Sequence, residues 1–298
     1  MAKKIICFGE MLWDVFPDGA VAGGAPMNVA LNLHQLGLDV TMISRVGKDE
    51  DGQKLLDFVK EYGLPLTSIQ EDESQPTGKV IIDQTDKENI KYEILEPAAW
   101  DFISLTTDNQ ELVAKADALV FGSLAVRNEQ SWQTLYHLVH QPLLTVFDIN
   151  MRAPYIDFYK IDSLLGYTDI LKINEDELEI LADFFELKDK RDGLAKALCD
   201  YLVEEYPIET ICITHGGKGA MVYKDGSIIS HPGYKVQVED TVGAGDAFLS
   251  GFVKMYLEGK NLKDTLDFAS KLGAFVATQK GGTPKYSLDG KDTTIRVR

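Results

Sequence analysis

Along the chain, short apolar runs rich in β-branched residues alternate with stretches whose apolar positions recur every three to four residues. The runs "KKIICFG", "VTMISRVG", "DALVFGS", "LLTVFDIN", "TDILKIN" and "TICITHGG" read as buried strands. Between them, "APMNVALNLHQLG", "DGQKLLDFVKEYG", "EQSWQTLYHLVHQ" and "EDELEILADFF" read as amphipathic helices. In the first helix Val29, Ala30, Leu33 and Leu36 share one face, and Gly37 stands where a left-handed residue commonly ends a helix. Such alternation predicts an α/β fold: a doubly wound, mainly parallel sheet covered by helices.

Two segments depart from that rhythm. "MLWDVFPDGAVAGG" (11–24) is extended and turn-rich, and "GKVIIDQTDKENIKYEIL" (78–95) reads as a hairpin around a polar turn. Together they predict a small β-sheet on one edge, either a lid over a ligand or an ordinary hairpin excursion. No linker, repeat or charge block marks off a second unit, so residues 1–298 are expected to form a single domain.

Composition narrows the partners. Of the 298 residues 45% are hydrophobic and 26% charged, as in a globular protein with a sizeable core. A formal net charge of -17 speaks against binding to nucleic acid or to an anionic membrane, both of which use Lys/Arg patches. It leaves room for a small anion held by backbone amides or a metal ion. The three cysteines, Cys7, Cys199 and Cys212, are odd in number and scattered, which suits reduced thiols better than disulfides or a zinc site. "MAKKIICFGE" enters a strand at once and no apolar run is long enough to span a bilayer, so a cytoplasmic location is expected.

The strand ends point to a site. Gly9, Gly122, Asp148 with Asn150, Asn174, and Thr214 with Gly216 all follow predicted strands. In open α/β sheets ligands bind beyond the carboxyl ends of strands, so these residues are expected to converge, although polar turn residues end many strands.

The most informative stretch is "EDTVGAGDAFLSGF". Apolar residues from Ala247 onward keep a helical period, which puts Gly243, Ala244, Gly245 and Asp246 at a helix start. Free amides and the positive end of the dipole there form an anion site, and glycine lets a ligand approach the backbone. A dinucleotide fingerprint would need glycine where Phe248 stands, and no G-x-x-x-x-G-K-[ST] occurs; a methyltransferase-like turn remains open. Asp246 is either a helix cap or a general base beside the anion site, and the latter suits phosphoryl transfer.

Four further patterns carry polar chemistry. In "AGGAPMNVALNLHQLG", Gly24 and Asn28, with Asp14 upstream, offer the amide and carboxylate that polyol recognition needs. In "LKINEDELEIL", Asn174 and Glu177 form either a capping box or a group aimed at hydrated Mg²⁺. "FDINMR" presents Asp148, Asn150 and Arg152, whose guanidinium can pair with a phosphate or with a carboxylate such as Asp148. "ITHGGKGAMVY" places Thr214, Gly216 and Gly219 in a turn that cradles a nucleotide or merely closes a hairpin; His215 is expected to be exposed.

Taken together these stretches resemble the PfkB, or ribokinase-like, family of sugar and nucleoside kinases over nearly the whole chain. "AGGAPMNVALNLHQLGLDVTMISRVGKDEDG" and "DTVGAGDAFLSGF" carry the likeness, supported by "NEDE" and "THGGKG"; "GGAPMNVA" and "FDINMR" most resemble bacterial fructokinases. The resemblance implies a three-layer α/β/α domain with a small β lid, about 11–23 and 78–96, and transfer of phosphate from ATP to a sugar. It implies Asp246 as base, amides of Ala244, Gly245 and Asp246 as anion hole shaped by Gly243, and Arg152 near the sugar or the moving phosphate. Asp14, Gly24, Asn28 and Asn150 would hold the sugar. Lys172, Thr214, Gly216 and Gly219 would serve the nucleotide. Asn174 and Glu177 would organise Mg²⁺ through water, and Asp240 and Val242 mark a K⁺ candidate. Lid sheets of the family can also pair two chains into a dimer. Met27 and Val242 depart from residues common at these positions.

Overall fold

In a computed structural model of the chain, residues 2–83, 91–187, 193–289 and 294–297 are described. The chain opens with strand β1 (Lys4–Phe8), crosses through the hairpin β2 (Leu12–Phe16) and β3 (Gly19–Gly23), and enters helix α1 (Ala25–Gln35). There follow β4 (Asp39–Gly47), α2 (Glu50–Glu61), β5 (Ile69–Asp72), β6 (Gly78–Asp83), β7 (Lys91–Ile94) and α3 (Thr107–Ala114). The middle of the chain alternates regularly: β8 (Ala118–Gly122), α4 (Glu129–Leu138), β9 (Leu144–Asp148), α5 (Phe158–Leu165), β10 (Ile170–Asn174), α6 (Glu175–Phe184) and α7 (Leu194–Glu205). The last part holds β11 (Thr210–Thr214), β12 (Ala220–Lys224), β13 (Ser227–His231), α8 (Ala244–Leu257), α9 (Leu262–Val276), β14 (Tyr286–Asp289) and β15 (Thr294–Val297).

All six strands expected from the apolar runs are present, and they lie in one sheet. Its order is β13-β12-β11-β10-β9-β8-β1-β4-β5, parallel throughout except for β12 and β13 at one edge. The alternation within each strand builds the three layers. Ile5 and Cys7 of β1 pack under α1, α2 and α8, while Ile6 and Phe8 face the other cluster, which includes α4 to α7. Each fully buried aliphatic or aromatic side chain in these layers contributes on the order of 1.5–3 kcal/mol.

The two irregular segments form a separate four-stranded sheet, β3-β2-β6-β7. It is pinned to the body by a small cluster of Leu12, Val80, Ile82, Ile94, Trp100 and Leu124. Strand β2 pairs in parallel with β6, so the two distant segments are joined by backbone bonds. The polar turn expected between β6 and β7 lies outside the described residues.

α1 ends as expected. Leu36 closes the last turn and Gly37 follows with φ 86°. Helices α8 and α9 pack so closely that a Cβ on Gly273 would come within 2.9 Å of Ala244 O. That contact fixes where α8 begins, and the site is built on it.

Candidate active site

Gly243 caps α8 in the left-handed region, φ 72°, and a Cβ there would come within 2.6 Å of Gly282 O. The turn is therefore closed by glycine on both sides, Gly243 and the Gly281–Gly282 loop. Ala247 N donates to Gly243 O at 2.8 Å and starts the helical ladder, while Ala244 N reaches Thr241 O at 3.3 Å. The N–H groups of Gly245 and Asp246 belong to the first turn, which has no intrahelical acceptors, and carry the positive end of the dipole. The amides available to an anion are thus those of Gly245 and Asp246, since that of Ala244 already has an acceptor.

Beneath this turn lies an ion pair that the sequence pattern did not pair. Asp148 ends β9 and Lys172 is its register partner on β10, both on the α8 face of the sheet. Lys172 Nζ donates to both Asp148 oxygens, at 2.8 and 3.0 Å, and both side chains are buried. Burial works to strip the lysine of its proton, but Asp148, Glu177 and Asp246 outweigh it and hold its pKa above the ordinary value. The ammonium sits 3.5 Å from where a Cβ on Gly245 would be, directly below the helix start. Two expectations change as a result. Lys172 does not line the cavity described below, and Asp148 pairs with Lys172 rather than with Arg152. The arginine is exposed, with Nη1 donating to Met151 O at 2.9 Å.

On one side of the turn, polar groups gather. Asn28, on α1, donates from Nδ2 to Asp246 Oδ2 at 2.8 Å, across 218 residues of sequence. Asn28 is thus first a partner of Asp246, with its buried Oδ1 left unpartnered. Burial pushes the Asp246 carboxyl up to about 6; Asp148 raises it further, while Asn28, Lys172 and Arg152 pull it down. Asp14, on β2, is also lifted to about 6 by burial, against the pull of Arg152. Gly23 packs so closely onto its Oδ2 that a Cβ there would force the carboxylate to move. Gly24 crosses Glu10 O with φ 112°. Asn150 turns out of the sheet with φ 45°, a left-handed conformation that asparagine tolerates better than most residues. Glu10, which the sequence reading passed over, is 2% exposed with Oε2 unpartnered, and burial lifts it to about 7.

On the other side lies a cavity of about 550 Å³. Asn174, Thr214, Gly216, Gly219, Ala244 and Gly245 line it, so six of the expected residues share one wall. Gly216 and Gly219 hold φ 55° and 101° around a 3-10 turn between β11 and β12. The rest of the lining was not foreseen. Much of it comes from the loop carrying Tyr234, Val236 and Val238, from Ser270, Gly273 and Ala274 of α9, and from Ala277 just past its end. The spacing of those four small residues, one helical face, is the signal that marks them. His215 is half-buried, not exposed, with Nδ1 3.8 Å from Glu175 Oε1.

Asn174 and Glu177 form the capping box. Asn174 Oδ1 accepts from Glu177 N at 2.9 Å, and Glu177 Oε2 accepts from Asn174 N at 2.8 Å. Glu177 Oε1 accepts from Met151 N at 2.8 Å, and the side chain is 2% exposed. With both oxygens engaged, Glu177 fits a cation only at one remove, while Asn174 stands on the cavity wall. Asp240 accepts from Val242 N at 3.0 Å and from Gly281 N at 3.1 Å, which ties the anion turn to the Gly281–Gly282 loop. Its carboxylate braces the loop, and Val242 beside it is exposed. Among the described residues no three His, Cys, Asp or Glu side chains cluster to hold a metal, and no helix is long and apolar enough to cross a membrane.

The arrangement juxtaposes a hydrogen-bonded carboxylate, two amides over a buried cation, and a cavity of nucleotide size. It can bind an anion and take a proton beside it. Comparison with known proteins gives the family. The chain is 29% identical over 312 residues to "Probable fructokinase-5" of Arabidopsis thaliana, covering 94% of this chain and 93% of that one. Its fold matches a fructokinase from Xylella fastidiosa solved with bound ATP, TM-score 0.84 at 22% identity over 95% of this chain and 94% of that one. It also matches aminoimidazole riboside kinase from Salmonella enterica, solved with aminoimidazole riboside and an ATP analog, TM-score 0.78 at 21% identity over 94% and 95%. The description "pfkB family carbohydrate kinase" fits residues 4–287. The chain belongs to the pfkB family of carbohydrate kinases and is a phosphotransferase acting on sugar hydroxyls.

Proposed function

We propose that the kinase transfers the γ-phosphate of ATP to the 6-hydroxyl of D-fructose, giving fructose 6-phosphate and ADP. The observation that carries the reading is Asp246, held by Asn28 at 2.8 Å in the same helical turn as the outward amides. In this reading Asp246 takes the hydroxyl proton, the sugar oxygen bonds to the γ-phosphorus, and the bond from phosphorus to the ADP oxygen breaks. The amides of Gly245 and Asp246, with Lys172 beneath, stabilise the charge on the moving phosphoryl group. The cavity holds the nucleotide. When bound, Mg²⁺ would neutralise charge on the phosphates; Asn174, on the cavity wall, and Glu177, through water, are the residues that would hold it. K⁺ enters no step.

Asp14, Asn150 and Arg152 lie on the sugar side in this scheme, under the small sheet acting as a lid. The likeness to fructokinases favours fructose. The likeness to a riboside kinase supports a second reading, in which the acceptor is a ribose or nucleoside of similar size; 2-keto-3-deoxygluconate belongs in the same comparison. A panel of these acceptors with Mg-ATP, read by ADP formation and by the position of the new phosphate ester, separates them. Fructose is expected to give the highest kcat/KM and a 6-phosphate. Activity confined to another acceptor would replace it.

A further inference from the structure

Glu10 has no part in the scheme above, yet it is a buried acid at the end of β1 with one oxygen unpartnered. It lies where helix α1 lacks something. The cap of α1 is Gly24, which has no side chain to offer, and the first turn carries no acidic residue. The Ala25 N–H, an end group of that helix, bears on the Glu10 carboxylate and favours its charged form. Gly24 crosses the Glu10 carbonyl so closely that a Cβ would not fit, which locks the two segments together. Gly24 O in turn accepts from Asn28 N at 2.8 Å, and Asn28 Nδ2 holds Asp246. A chain of contacts therefore runs from Glu10 through the start of α1 to Asp246.

We propose that Glu10 is a positioning residue: its buried carboxylate supplies the cap that α1 lacks and, through Gly24 and Asn28, sets the carboxylate of Asp246. An acid at a helix N-terminus acts best when ionised, because its charge then meets the positive end of the dipole. Burial opposes that ionisation, and the charged groups bearing on Glu10 pull in opposite senses: Arg152, beyond β9, favours the carboxylate and Asp246, on α8, disfavours it. Glu10 should therefore change charge close to neutrality, loosening the helix start as the pH falls. The inference rests on the kinase reading for its effect on catalysis, but its structural half can be tested without turnover.

The test compares wild type with Glu10→Gln, which keeps the shape and one acceptor but not the charge, and with Glu10→Ala. Hydrogen exchange of the Ala25 and Asn28 amides, as protection factors from pH 6 to pH 8.5, is read beside sugar and ATP kinetics. In the wild type, protection of these two amides should rise with pH through about 7. In Glu10→Gln it should be low and flat. At pH 8 the variant should raise the sugar KM about three- to ten-fold, the order expected for losing a charged cap, with the ATP KM unchanged. Should Glu10→Ala fail to fold, Glu10→Gln decides. Unchanged protection in Glu10→Gln would overturn the cap; reduced protection with an unchanged sugar KM would overturn the coupling to Asp246. If the wild type phosphorylates none of the acceptors, the kinase reading fails, while the exchange data still decide the cap.

Discussion

The two sides of the anion turn differ in kind. The cavity side is walled largely by backbone and small or apolar side chains, Gly216, Gly219, Gly273, Ala274, Ala277 and Val238 among them, with Lys235 its charged residue. The opposite side holds three acids, Glu10, Asp14 and Asp246, each lifted by burial to about 6 or 7. One side selects mainly by shape, and there added volume should harm. The other selects by charge and hydrogen bonds, and there loss of a single oxygen should be felt. The turn from Gly243 to Asp246 belongs to both, with Lys172 beneath it serving neither side alone.

The comparison can be broken most severely at the turn itself. Gly243→Ala places a Cβ against the Gly282 backbone in a left-handed conformation, so we expect loss of about 2–4 kcal/mol of stability and of activity with it. Chemical denaturation measures it, and a Gly243→Ala protein as stable and active as the wild type would refute the closed turn. On the cavity side, Ala274→Leu adds volume where the nucleotide is placed. It should raise the ATP KM roughly ten-fold or more, with the sugar KM unchanged. An equal rise in both would erase the distinction between the sides. Gly245→Ala meets only ordinary contact, 3.5 Å from Lys172 Nζ, and alanine suits a helix better. Turnover should fall roughly ten-fold by screening of the phosphoryl group, while Tm holds or rises.

The comparison can also be probed through stability against pH. For Asp246 the folded pKa lies above the unfolded one, so the native state binds the extra proton between pH 3.8 and about 6. Stability from this group is present at low pH and falls as the pH rises through that window. Asp246→Asn removes the penalty. Its stability relative to wild type should therefore be greater at pH 8 than at pH 4 by roughly 2–3 kcal/mol. A difference that shrinks with rising pH would contradict the buried, raised carboxylate.

Much of the fold was legible because the apolar runs are long and continuous, as two-sided burial in a parallel sheet requires. The helix start at Ala244 was legible because glycine punctuation met a change to helical period. Contacts across the sequence were not. Nothing local says that Asp148 faces Lys172, because that depends on strand register. Nor does the sequence tell that Asn28 meets Asp246, which follows from α1 packing beside α8. Glu10 was missed because a lone acid after a strand reads as a turn residue, though the apolar residues Phe8, Met11 and Leu12 around it hint at burial. The loop bearing Tyr234, Val236 and Val238 forms no regular element and so left no period to read.

The central claim is that Asp246 takes the sugar proton and leaves nucleotide binding to the other side. Asp246→Asn is nearly isosteric and tests it most directly, with fructose-dependent ADP release and ATP affinity measured on the same protein. The account predicts turnover lower by about 10²–10⁴-fold, the range for loss of a general base, with ATP affinity within a few-fold of wild type. Turnover within a few-fold of wild type in a folded, ATP-binding variant would contradict it.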